Sequence, residues 1–184
     1  MLQWARANSC PWDKDTCTYA AGRGHLEVLQ WARANGCPWD EKTTFFAAKM
    51  GHEALLQALI EAGADVNKAI NNGETPLIVA AQNGHDAVVR ALIELGADIN
   101  KASDKGVTPL YFAAQMGHEA VLRALIELGA DVNKANNDGL TPLYVGAQEG
   151  HEAMVRALIE LGADINKASD KGVTPLHIAA QKGH

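Results

Sequence analysis

The sequence has few of the features that mark secreted or nucleic-acid-binding proteins. It contains three cysteines in 184 residues and no Asn-x-Ser/Thr glycosylation acceptor, which favours a reducing compartment. Its 16 Lys and Arg residues are outnumbered by 22 Asp and Glu residues, so the net charge is −6. An acidic chain is repelled by nucleic acids and by anionic membrane surfaces. We therefore expect no nucleic-acid partner and no membrane partner.

Long hydrophobic runs are also missing. The longest, such as residues 76–81, are too short to span a bilayer. The N-terminal "MLQWARANSC" lacks the basic region and apolar core of a signal peptide. Apolar residues still make up 47% of the chain, as in folded proteins. We expect a folded intracellular protein, located in the cytoplasm.

Common catalytic motifs are absent. The chain has no Gly-x-x-x-x-Gly-Lys phosphate loop, no His-Glu-x-x-His zinc motif and no Gly-x-Ser-x-Gly nucleophile elbow. Its three cysteines, Cys10, Cys17 and Cys37, include no Cys-x-x-Cys pair, so buried thiols are favoured over a zinc site. The sequence therefore predicts no enzyme, no cofactor and no small-molecule substrate.

The sequence does contain regular internal repetition. Thr-Pro-Leu begins at residues 75, 108, 141 and 174, and Gly-His begins at 51, 84, 117, 150 and 183, each series with a spacing of 33. A fixed period of this size indicates stacked units that cannot bury their apolar faces alone.

One unit, residues 103–135, shows the expected local structure. Thr108 is a good N-cap and Pro109 fits the first position of a helix. A second apolar helix follows Gly117 and ends at Gly129. The Asp138–Gly139 pair beyond it is typical of a hairpin turn. Each unit is thus predicted to be a helix pair followed by an extended finger.

This pattern resembles the ankyrin repeat. The family motif, Gly-x-Thr-Pro-Leu-x-x-Ala-Ala-x-x-Gly-His followed by an apolar helix and Gly-Ala-Asp-Val/Ile-Asn, matches residues 73–100, 106–133 and 139–166 almost throughout. The resemblance implies an all-α solenoid of stacked antiparallel helix pairs with β-hairpin fingers, and a role in protein–protein interaction. Gly146 departs from the motif, because the other units have alanine there.

The N-terminal part carries a shorter repeat. "LQWARANSCPWD" (residues 2–13) recurs as "LQWARANGCPWD" (29–40), and the first two Gly-His pairs are 27 residues apart. Aligned on Gly-His, Trp39 falls on Val66 with no gap, so the short units lack only the finger. Asp13 and Asp40 should then cap the next helix directly. This form resembles a 27-residue, Cys-Pro-Trp-Asp variant of ankyrin-like arrays.

We expect one continuous array over residues 1–184. It would comprise short units at 1–36, a transitional unit at 37–69 and long units at 70–184, the last one incomplete. Because residues 1–8 match only the end of a second helix, we expect a piece of a longer array.

The histidines form a ladder with one member per unit. Stacked helices lie about 8–10 Å apart, whereas zinc ligands lie about 2 Å from the metal, so the ladder cannot converge on a metal ion. We expect no metal, and we expect each ring to hydrogen-bond backbone between units. The ladder consists of His25, His52, His85, His118, His151 and His184.

The residue types at packing positions barely differ between units, whereas those at the finger tips and on parts of the first helix do differ. The resemblance implies that this side is a concave groove. Tyr111 and Tyr144, in adjacent units, are the strongest anchor candidates because aromatic residues are favoured at interfaces. The predicted partner-binding residues are Asn71, Asn72, Glu74, Ile78, Asn83, Asp104, Lys105, Val107, Tyr111, Met116, Asn137, Asp138, Leu140, Tyr144 and Glu149.

The sequence thus predicts a monomeric, non-enzymatic scaffold that binds a protein or peptide. Two alternatives remain at this point: a structural spacer without its own partner, and an adaptor region of a larger protein. The spacer is favoured by residues 91–110 and 157–176, which are identical, because a recently copied surface need not be adapted to a partner.

Overall fold

The architecture is a series of helix pairs. A computed structural model describes residues 13–184, and this part of the chain contains eleven helices and no β-strand. The pairs are α1 (Lys14–Gly22) with α2 (Leu26–Ala34), α3 (Glu41–Lys49) with α4 (Glu53–Glu61), α5 (Pro76–Gln82) with α6 (Asp86–Glu94), α7 (Pro109–Met116) with α8 (Glu119–Glu127), and α9 (Pro142–Glu149) with α10 (Glu152–Glu160); α11 (Pro175–Lys182) follows alone.

The first helix of each unit begins where the sequence predicts. The Thr108 hydroxyl accepts a hydrogen bond from the Tyr111 backbone N–H at 3.2 Å, and Pro109 occupies the first helical position. In the short unit Asp13 replaces threonine as the cap, and in the transitional unit the Asp40 carboxylate does so and accepts from the Lys42 N–H at 3.0 Å. The capping aspartates predicted from Cys-Pro-Trp-Asp are therefore confirmed within residues 13–184; Trp12 and Cys10 lie outside them.

Stacking of the units builds the core. Each first helix packs against its own second helix and against the first helix of the next unit. One cluster of buried residues runs from Cys17 to Ala163, and both Trp39 and Val66 pack against it. The core therefore does not break where the short units give way to the long ones.

The fingers of the long units are tight turns and form no strands within residues 13–184. In one finger the Asn136 N–H donates to the Leu140 carbonyl at 3.0 Å, and the Gly139 N–H donates to the Asn136 carbonyl at 3.1 Å. Gly139 has φ +75°, which favours glycine. The predicted hairpin turn is confirmed, but with so few backbone bonds the predicted β-hairpin is reduced to its turn.

Hydrogen bonds align consecutive fingers. The Asn137 N–H donates to the Lys105 carbonyl at 3.1 Å, and the Asp170 N–H donates to the Asp138 carbonyl at 3.2 Å. At the finger base, the Asn133 side-chain oxygen accepts from the Asp164 N–H at 2.7 Å. The finger tips therefore form one row along the long units.

The histidine ladder adds a second set of contacts between units. In four of the six rings, Nε2 lies 2.9–3.3 Å from a backbone carbonyl of the preceding unit. The predicted backbone bonding is confirmed for four rings, whose acceptors are Gly22 for His52, Lys49 for His85, Gln82 for His118 and Gln115 for His151.

Candidate functional site

We call the finger tips and the exposed parts of the first helices in residues 70–150 the finger face. Most predicted partner-binding side chains in this range are accessible. Asn71, Asn72, Asn83, Asp104, Lys105, Met116, Asn137, Asp138 and Glu149 are exposed, and Glu74 and Leu140 are half-buried. The exposed groups are amides, carboxylates, a lysine and a thioether, and those of the finger tips lie in one row.

Four predicted partner-binding residues are not on the surface. Ile78 is 0% exposed, and Val107 is 8% exposed. Tyr111 and Tyr144, the predicted aromatic anchors, are each only 7% exposed. Tyr111 and Tyr144 therefore present little accessible ring surface in this structure.

The next unit explains why Tyr111 is covered. Burial raises the pKa of the Tyr111 phenol, and the negative charges of Asp138 and Glu149 raise it further. Both carboxylates belong to the following unit, so stacking places that unit beside the phenol. Both of these carboxylates, Asp138 and Glu149, are exposed.

A second exposed apolar area, which the repeat pattern did not predict, lies where the last short unit meets the transitional unit. Tyr19 is 73% exposed and Met50 is 53% exposed, and both line a groove of about 510 Å³ between α1 and α3. The sequence gives one signal for this groove: Gly22 stands where the neighbouring units have Lys49 and Gln82.

The structure also brings two cysteines together. Cys17 and Cys37 are both 0% exposed, and their Sγ atoms are 3.1 Å apart. Burial, together with the hydrogen bond that the Cys17 thiol donates to Cys37, raises the pKa of the Cys17 thiol to about 12. The Cys17 thiol is therefore protonated at neutral pH and is a poor nucleophile.

Neither surface has the groups of a metal centre or a membrane span. Within residues 13–184, no three His, Cys, Asp or Glu side chains converge on a point that could hold a metal ion. The helices of the same region are too short or too polar to cross a bilayer. Hydrogen bonding, ion pairing and apolar contact are what the exposed groups can offer a ligand.

Comparison with known proteins identifies the family. The model described as "Ankyrin repeats (3 copies)" matches residues 17–103, 44–136, 99–169 and 129–184, which together span almost the whole chain. No curated protein matches the chain significantly. Ankyrin repeats are generally protein–protein interaction modules and typically have no enzymatic activity. With its capped helix pairs, aligned fingers and histidine ladder, the chain belongs to the ankyrin-repeat family.

Proposed function

We propose that this chain is a non-enzymatic interaction module that binds a protein or an extended peptide on the finger face. The observation that carries the proposal is the variation between units at exposed positions. Matched positions at the end of the first helix hold Asn83, Met116, Glu149 and Lys182, all of them exposed. A row of different side chains on a repeated frame suits recognition of one partner.

The rigidity of the finger face supports the same proposal. Adjacent finger tips are tied by backbone hydrogen bonds, and the finger bases are tied by asparagine side chains. A surface that is already ordered loses little conformational entropy on binding. An open row of side chains suits contact with an extended partner, whereas small-molecule sites are usually enclosed cavities.

Affinity purification with matched variants tests the proposal. The finger-face variant combines Met116→Ala with Glu149→Lys. The control variant combines Leu128→Ala with Glu160→Lys, which change similar side chains at the ends of second helices. Met116 and Leu128 are 43% and 44% exposed, so both variants remove a comparable apolar surface.

We expect the control to recover the same proteins as the wild type from an extract of the source cells. The amount of a specific partner recovered by the finger-face variant should be at least about five-fold lower. This is the effect of removing one interface anchor that contributes more than about 1 kcal/mol. Equal recovery by both variants, measured by quantitative mass spectrometry, would overturn the proposal and favour the spacer.

A further inference from the structure

The groove between α1 and α3 has the features of a separate binding site. We call its half-buried lining residues, Thr18 and Gly22 on α1 and Phe46 on α3, the floor, and its exposed lining residues Tyr19 and Met50 the edges. These residues lie outside the finger face, in the part of the array that has no fingers. This groove is therefore independent of the function proposed for the finger face.

Gly22 keeps the floor of this groove open. The neighbouring units have Lys49, Gln82 and Gln115 at the matched position, each with a long side chain. A Cβ atom placed on Gly22 would meet only the Cβ of Phe46, at 3.7 Å, which is ordinary van der Waals contact. Neither crowding nor a left-handed backbone therefore requires glycine here, and its effect is to leave space.

The apolar walls are suited to a large hydrophobic side chain. Tyr19 and Met50 are 73% and 53% exposed, although aromatic and thioether groups are usually covered. Phe46 is held in place by edge-to-face contact with Phe45, with ring centroids 5.7 Å apart. A ligand side chain between Tyr19 and Phe46 would gain aromatic contact without first ordering the floor.

The charges around the groove are mainly positive. Arg23 and Lys42 line it, both are exposed, and neither forms an ion pair within residues 13–184. Lys49 adds a third cation, with Nζ 5.9 Å from the centre of the Phe46 ring. Asp15 is the acidic residue in the lining. In a chain of net charge −6, this local excess of cations is complementary to an acidic ligand.

We propose that the groove between α1 and α3 binds an acidic peptide segment that carries a large apolar side chain. The apolar side chain of the peptide lies over Gly22 between Tyr19 and Phe46. Carboxylates of the neighbouring peptide residues pair with Arg23 and Lys42. The overall negative charge of the chain disfavours a nucleic acid in the same place.

Fluorescence anisotropy with the full chain tests this site. The probe is a fluorescein-labelled hexapeptide with a leucine–phenylalanine core and two aspartates on each side. A twin with asparagine in place of aspartate measures the contribution of charge. We expect the acidic probe to bind about ten-fold more tightly than its twin, and the difference to shrink as salt is raised.

Two variants separate loss of binding from loss of folding. Gly22→Gln fills the floor with the residue of the neighbouring units, so it should weaken probe binding about ten-fold. The same change should not lower the melting temperature, because glutamine favours a helix more than glycine does. Arg23→Glu with Lys42→Glu should also weaken binding at least about ten-fold.

The control variant is Lys68→Glu with Lys134→Glu. It makes the same change in net charge at two exposed lysines outside the groove, so the affinity for the probe should stay within about two-fold of wild type. Equal binding of the acidic probe and its asparagine twin would overturn the proposal. So would unchanged affinity in Gly22→Gln, or tighter binding of a single-stranded oligonucleotide than of the peptide.

Discussion

Replacing Gly146 with alanine should stabilise this protein. Gly146 is buried inside α9, at a position where other units have Ala80 and Ala113. Its φ is not in the left-handed region, so no backbone constraint requires glycine. The substitution therefore restores the residue of the repeat at the one long unit that lacks it.

The structure sets the size of the gain. The added methyl would lie 3.8 Å from Met154 Cβ, 3.8 Å from Val155 Cγ2 and 3.9 Å from Leu158 Cδ1, all ordinary contacts. Alanine is favoured over glycine in a helix by about 0.5–1 kcal/mol, and burying one methyl contributes about 0.8 kcal/mol. A total near 1.5 kcal/mol should raise the melting temperature of a chain this long by about 3–6 °C.

Circular dichroism at 222 nm, recorded against temperature and against urea, measures the effect. Ala113→Gly is the reverse control: Ala113 is 0% exposed, and its loss should lower the melting temperature by a similar amount. Gly84→Ala is the steric control, since Gly84 has φ +75° and a Cβ there would lie 2.8 Å from His118 Nδ1. This second control should destabilise the protein.

A lower melting temperature for Gly146→Ala would refute the reasoning. It would mean that α9 lies closer to α10 than the structure shows, so that a methyl cannot fit. An unchanged melting temperature together with a clear loss in Ala113→Gly would show that the packing around Gly146 differs from that of its neighbours.

Three further substitutions test the capping, the ladder and the buried thiol. Thr141→Ala should reduce the free energy of unfolding by about 1–2 kcal/mol in urea, because the Tyr144 N–H loses a buried acceptor at 3.1 Å, and Thr141→Ser should retain most of the stability. His118→Ala should cost about 1 kcal/mol or more in the same assay, since it removes the 3.0 Å contact with the Gln82 carbonyl. The pKa of Cys17 is raised from 9.0 to about 12 in the folded state, so stability should fall as pH rises through that interval, and Cys17→Ser should lack this part of the slope.

Local features of the fold could be read from the sequence because each depends on a few neighbouring residues. Threonine followed by proline fixes the start of α7, and Asp40 replaces that cap where the finger is missing. The carboxylate of Asp131 accepts from the Asn133 N–H at 2.9 Å, as the repeated Asp-x-Asn predicts. The 33-residue period then fixes how units follow one another.

The proposed binding surface could be predicted less completely, because exposure depends on the adjacent unit. Variation between units marked Tyr111 as a surface residue, but the next unit covers its ring. The groove beside Gly22 was missed because Tyr19 aligns with a packing position. The contact between Cys17 and Cys37 joins residues 20 apart in sequence, and no spacing rule for helices predicts it.

The central claim is that the short and long units form one stack with a continuous core, and equilibrium unfolding of Leu77→Ala tests it most directly. All four tryptophans lie in residues 1–40, so their fluorescence reports on the short units, while circular dichroism reports on the whole chain. Leu77 is 1% exposed in α5, the first helix of a long unit, and its truncation should cost about 2–5 kcal/mol. We predict that the urea midpoint measured by tryptophan fluorescence falls together with the midpoint measured by circular dichroism. A fluorescence midpoint that stays at the wild-type value while the dichroism midpoint falls would contradict the account.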